Sequence, residues 1–217
     1  MSAPAPDPDR GALLRRGLVL ERITIAWNVI EAVIAIGAGI VAGSIALVGF
    51  GLDSIIEVIA ASALYVRLRH EAEGRGDSHL AERRALRIVA ITFFLLAAYV
   101  GYEAISNLVA REHAAESTVG IVLSALSLFV MPMLAVAKLR TGRALESTAL
   151  IADSKETFAC AYLSATLLAG LLLNALLSWW WADPVAALAM LPFILREGWE
   201  AFEESREEDA KEERLRG

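Results

Sequence analysis

The chain has 217 residues, 57% of them hydrophobic, with 26 acidic against 20 basic side chains and a net charge of −6. Soluble domains carry only about 45–50% apolar residues, so this composition points to a polytopic membrane protein, and no nucleic-acid partner is expected. A single cysteine, Cys160, excludes an intrachain disulfide.

Residues 1–17, with Pro4, Pro6 and Pro8 and no apolar h-region, read as a disordered leader rather than a cleavable signal. Apolar stretches of spanning length then run from Ile23 to Gly43, Ser44 to Val66, Ile88 to Val109 and Thr118 to Ala137. The run from Ser147 to Phe202 is too long for one helix. Asn174 and the segment Trp179-Trp180-Trp181-Ala182-Asp183-Pro184 interrupt it, and Asp-Pro is a good helix start, with Asp as N-cap. A fifth helix over Ser147–Leu173 and a sixth over Asp183–Phe202 follow, with the tryptophans at a membrane–water interface. The expectation is an all-α protein with six transmembrane helices. The six-helix membrane domain covers 18–202, and 203–217 forms a charged tail.

Basic residues orient the spans. Eighteen of the 20 Lys and Arg fall in the leader, the second-to-third and fourth-to-fifth connections (Lys138, Arg140 and Arg143 in the latter) and the C-terminal end. Only Arg111 lies in the opposite loops, and Lys155 lies inside a span. By the positive-inside rule both termini are cytoplasmic in a multi-pass plasma or inner membrane.

Two of the apolar segments share a polar pattern. Ser44-Ile-Ala-Leu47 is followed by Asp53 and Glu57; Ser147-Thr-Ala-Leu150, 103 residues on, is followed by Glu156 and Cys160. Each pair is spaced i, i+4 and shares one helix face. Each begins nine residues into its segment, about 13 Å deep at 1.5 Å per residue, near the middle of a hydrocarbon layer about 30 Å thick. A charged side chain at a helix centre costs roughly 2.5–3.5 kcal/mol on insertion scales, and two carboxylates on one face repel. A divalent cation removes both penalties, so Asp53, Glu57, Glu156 and Cys160 are expected to bind a metal. The bland alternatives are a protonated, hydrogen-bonded carboxylate pair and a cysteine acting as a small hydrophobe. Because the two segments run antiparallel, the pattern is that of an inverted repeat with ligands at the midplane, a recurring transporter design.

Accessory or proton-relay roles fall to Asp153, Lys155, Glu31 and Glu103. Lys155 is expected to neutralise a buried acid, with Asp153, Glu31 or Glu103 as its partner. Asn28 with Glu31, and Glu103 with Asn107, either line an aqueous path or cross-link the bundle. Asp183 is expected to cap the sixth helix, and His70, His79 and His113 fall in loops without a partner at ligand spacing. Gly37, Gly39 and Gly43 permit close helix contact.

In these motifs the chain resembles the cation diffusion facilitator family. There, a serine-alanine-leucine start precedes two acids or a His/Asp pair on helix 2, and Ala-Asp-Ala-x-His leads to Asp on helix 5. The matching positions here are Ser44, Ala46, Leu47, Asp53 and Glu57, then Ala152-Asp153-Ser154-Lys155-Glu156 and Cys160, with Asp183-Pro184 opening the sixth helix. The resemblance implies six helices with both termini inside, a metal site on helices 2 and 5, and a homodimer held by membrane helices. Two departures are visible, no site histidine and no histidine-rich stretch near Thr141–Glu146; the expectation is a short branch of the family that lacks the C-terminal cytoplasmic ferredoxin-like domain.

The expected function is export of a divalent transition metal exchanged for protons, with a Zn(II)-like ion favoured over Mn(II), Fe(II) or Cd(II). The metal is cargo, and no resident cofactor is expected. The rival is a non-transporting sensor or scaffold with a vestigial site. An intramembrane enzyme is disfavoured, because no HExxH or nucleophile motif is present.

Overall fold

A computed structural model describes residues 8–73 and 79–216 as six helices: α1 (Pro8–Ala42), α2 (Ile45–Ala72), α3 (His79–Ala110), α4 (Thr118–Leu145), α5 (Thr148–Leu177) and α6 (Ala182–Arg216). The expected leader is therefore helical from Pro8 onward, and its first seven residues lie outside the described set. The expected C-terminal tail continues α6. Among the described residues, five helices are long and apolar enough to cross a membrane. In α6 the apolar run is short, bounded by Asp183 on one side and by Arg196, Glu197 and Glu200 on the other. The chain is a polytopic, all-helical membrane protein.

Its surface is apolar and its interior partly polar. Val33, Ile40, Val41, Leu95, Phe129, Met133 and Leu176 face outward, whereas Glu21, Asn28, Glu31, Asp53, Lys138 and Asp183 are buried. That inversion is expected where the solvent is hydrocarbon, since lipid tails solvate leucine as well as a core does. Without a hydrophobic drive, close backbone approach and interior polar bonds hold the helices together.

The repeat seen in the sequence is a structural repeat as well. The turn between α1 and α2 places Gly43 at φ +64°, and the turn between α4 and α5 places Glu146, 103 residues on, at φ +56°. Ser44 and Ser147 then adopt the same extended conformation, and their hydroxyls accept from the backbone N–H of Leu47 and Leu150 at 3.1 and 3.3 Å. Each serine satisfies one of the orphan donors of a helix start. Just before each turn sits a glycine. A Cβ on Gly39 would stand 2.9 Å from the backbone nitrogen of Val48, and one on Gly142 would stand 3.0 Å from that of Ile151. The two hairpins are thus the same device used twice. Gly37, by contrast, has open space around its Cβ direction and is not a contact glycine.

The helices alternate in direction. At one end the α1–α2, α3–α4 and α5–α6 turns meet: Ala115 N–H donates to the Ala42 carbonyl at 2.7 Å, and Asn174 Nδ2 donates to that of Ala114 at 3.0 Å. At the other end Leu14, Leu68, Leu145 and Leu150 form a small apolar cluster, and Arg10 pairs with Glu71. Three helix pairs dominate the packing, α1 with α2, α4 with α5 and α3 with α6. Helix α2 touches α1, α3, α5 and α6. Its central position gives its polar residues neighbours on every side.

Asp183 departs from expectation. It lies in the first turn of α6, but its carboxylate turns away to the start of α2, where it accepts from the Ser44 hydroxyl, from Ile45 N–H at 2.9 Å and from Ala46 N–H at 3.5 Å. An acid near a helix N-terminus also complements the helix dipole. It caps α2 from across the bundle.

Candidate metal centre

Asp53 and Glu57 are one turn apart on α2, so their side chains leave the helix on one face. That face meets α5 at Cys160. One donor atom from each of Asp53, Glu57 and Cys160 lies within 4.8 Å of the others. Asp53 is 4% exposed and Cys160 is fully buried. A cation with bonds of about 2.0–2.3 Å draws such donors together with small rotamer changes. The chemistry of the set, two carboxylates and a thiol, fits a borderline divalent ion.

Glu156 is not in that 4.8 Å group. It lines an adjoining pocket of about 20 Å³, bounded also by Asp53, Ile56, Glu57, Ala60, Phe93, Phe193 and Glu197. The volume suffices for one water-sized occupant. The pocket lies between α2, α3, α5 and α6, so Asp53 and Glu57 look into both the trio and the pocket. Glu197, 7% exposed on α6, went unnoticed in the sequence. The signal was available: it is an acid inside the sixth predicted helix, fourteen residues past Asp183.

Helix α1 closes the centre from behind. Asn28 Nδ2 donates to Glu57 Oε2 at 2.7 Å. Glu31 accepts from the hydroxyls of Ser54 on α2, at 3.0 Å, and Ser127 on α4. Trp27 Nε1 reaches Ser127 Oγ at 3.4 Å. Of the two readings left open for Asn28 and Glu31, the contacts are those of a cross-link between α1, α2 and α4. Glu103, half-buried on α3, does not line the pocket.

The buried cation is Lys138, and Lys155 is exposed. This corrects two expectations together. Lys138 was assigned to the fourth-to-fifth connection because the apolar run ends at Ala137, yet α4 continues to Leu145 and carries Lys138 into the interior. Its Nζ lies 2.6 Å from Asp153 Oδ2 and 3.3 Å from Glu21 Oε2, and donates to Thr157 Oγ1 at 3.3 Å. Asp153 therefore pairs with Lys138 and not with Lys155. The group ties α1, α4 and α5 together on the Arg10–Glu71 side of the candidate metal centre.

The profile described as the cation efflux transmembrane domain matches residues 22–208. A curated protein of Synechocystis sp., named as an uncharacterized transporter, is 25% identical over 160 residues, covering 71% of this chain and 52% of that protein. The chain thus spans about half the length of the curated relative it matches. With the match running from α1 to the C-terminal part of α6, the chain belongs to the cation efflux family.

Proposed function

We propose that this protein moves a divalent transition-metal ion across the membrane, outward from the cytoplasm, in exchange for protons. The observation that carries this reading is the convergence of Asp53, Glu57 and Cys160 from α2 and α5 within 4.8 Å in a polytopic bundle, with Asp53 and Cys160 buried and Glu57 half-buried. Buried acids without a partner of opposite charge are costly in hydrocarbon, and a transported cation is the partner that makes them useful. Ligands must be deprotonated to bind metal, so loading metal releases protons and loading protons expels metal. A site that trades the two while facing alternate sides is an antiporter. The inverted α1–α2 and α4–α5 hairpins supply two matching halves for such rocking.

The ligand set favours a Zn(II)-like ion, with Cd(II) close behind because of the thiolate and Mn(II) or Fe(II) served by the carboxylates. The basic residues of the Arg10–Glu71 end support a cytoplasmic side for both termini, and in this reading two copies associate through membrane helices. Flux of Zn(II), Cd(II) and Mn(II) into proteoliposomes tests the reading: wild-type protein accelerates entry, and Asp53→Asn and Glu57→Gln abolish it with the helical fold intact. Wild-type flux in a folded double variant overturns the site. Tight binding without flux makes the chain a sensor or scaffold.

A further inference from the structure

We infer that Asn28 on α1 is the fourth protein ligand of the metal, through its side-chain carbonyl oxygen. The inference rests on the site proposed above and changes its composition. The trio offers three donors, whereas a Zn(II)-like ion is most often four-coordinate. Glu156, the donor expected from the sequence, is not in the group whose donor atoms lie within 4.8 Å of one another, although it lines a pocket together with Asp53 and Glu57.

Asn28 is fully buried, and its Nδ2 touches Glu57 Oε2 at 2.7 Å. Its Oδ1 has no hydrogen-bond partner among the described residues. A buried carbonyl oxygen left unsatisfied costs about 1–3 kcal/mol, and native structures rarely leave one without a reason. In the metal-loaded site, where Glu57 must be ionised, reversing the amide would set its carbonyl oxygen against the Glu57 carboxylate. Amide bond lengths put Oδ1 about 2 Å from the nitrogen already touching Glu57. The orphan acceptor is therefore beside the metal trio and on the buried side of α1.

A cation held by Asp53, Glu57 and Cys160 resolves the orphan. The same amide then donates to one oxygen of Glu57, fixing that carboxylate, and gives its own oxygen to the ion. A neutral fourth donor also makes electrostatic sense. Two carboxylates and a thiolate already overbalance a divalent charge, and a third carboxylate in the trio would overbalance it further. Asn28 raises the coordination number without adding charge. It also ties α1 to the ion, so the metal joins α1, α2 and α5.

The test is isotope-edited infrared difference spectroscopy on the full chain, labelled with ¹³C at the asparagine side-chain carbonyl, with and without Cd(II). Only Asn28, Asn107 and Asn174 carry the label. Coordination lowers the frequency of one labelled band, and Asn28→Leu removes that shift. The same substitution weakens Cd(II) binding by about 10–100-fold, the range for disturbing a ligand's support. Asn28→Asp, which keeps an oxygen donor but loses the N–H to Glu57, binds Cd(II) more tightly than Asn28→Leu. Cadmium binding that leaves every labelled carbonyl band unmoved overturns the ligand role. So does an Asn28→Asp variant as weak as Asn28→Leu, which makes Asn28 only an orienting donor. If wild-type protein shows no cadmium–thiolate absorption band, the metal site itself falls, and this inference with it.

Discussion

Replacing Lys138 with methionine keeps an unbranched side chain of similar length and deletes the one buried ammonium among the described residues. In the native bundle that ammonium stands 2.6 Å from Asp153 and 3.3 Å from Glu21, with Lys138 and Glu21 fully buried and Asp153 12% exposed. Removing one partner of a buried ion pair costs about 3–5 kcal/mol, because the remaining charge is left uncompensated. Here two carboxylates are left facing each other, so the upper part of that range applies. At about 1.4 kcal/mol per tenfold, a loss of 4 kcal/mol lowers the folded-to-unfolded ratio by nearly a thousandfold. Reversible unfolding in mixed micelles, followed by the loss of helical signal, measures this difference. The triple variant Glu21→Gln, Asp153→Asn, Lys138→Met removes all three charges and recovers most of the stability, since the desolvation of the triad disappears with its attraction. Lys155→Met serves as the control. Its side chain is exposed, and it changes stability by about 0.5 kcal/mol or less. A Lys138→Met bundle within about 1 kcal/mol of wild type, the ordinary effect of a point substitution, refutes the reasoning. So does a Lys155 variant that is equally damaging.

Three further outcomes follow from the same geometry. Cys160→Asp gives an all-carboxylate trio, and competition binding shifts from Cd(II) toward Mn(II), because harder oxygen donors favour the harder ion; unmoved relative affinities make Cys160 a packing residue. Ser44→Ala costs more than Ser147→Ala, since Ser44 both caps α2 and donates to Asp183, whereas Ser147 only caps α5. Unfolding measurements register about 0.5–2 kcal/mol for a lost cap, with the surplus at Ser44 vanishing in an Asp183→Ala background. Gly142→Ala and Gly39→Ala each destabilise the bundle by about 1–3 kcal/mol through overpacking, and equal thermal midpoints for wild type and both variants contradict the close hairpin contact.

Periodicity in the sequence carried the helices well, because apolar length and capping serines are local signals. Ser44 and Ser147 open α2 and α5 as expected, and the offset of 103 residues extends to paired glycines and paired left-handed turns. Side-chain partners were harder to read. Asp53, Glu57 and Cys160 were legible because i, i+4 spacing and depth are set by one helix at a time. The face that Glu156 presents depends on how α5 rotates against α2 and α6, which no single-helix pattern contains. Lys138 was misplaced because an apolar-run rule stops at the first charge, whereas this helix runs eight residues farther on and pairs the charge inside. Asp183 was read as the cap of its own helix because capping rules are written for local sequence. Its carboxylate reaches α2 only through the meeting of three turns at one end of the bundle. Asn28 and Glu197 gained meaning only when their helices came into contact with the acids of α2.

Simultaneous recording of metal entry and proton exit in proteoliposomes tests the central claim most directly, with one indicator for Cd(II) or Zn(II) and another for internal pH. Metal ligands release their protons on binding, so inward metal movement driven by an external metal pulse is accompanied by outward proton movement. An acid interior speeds metal entry, and Asp53→Asn silences both signals together. Metal entry with an unmoved pH signal and no response to an imposed pH gradient contradicts exchange at the Asp53–Glu57–Cys160 centre.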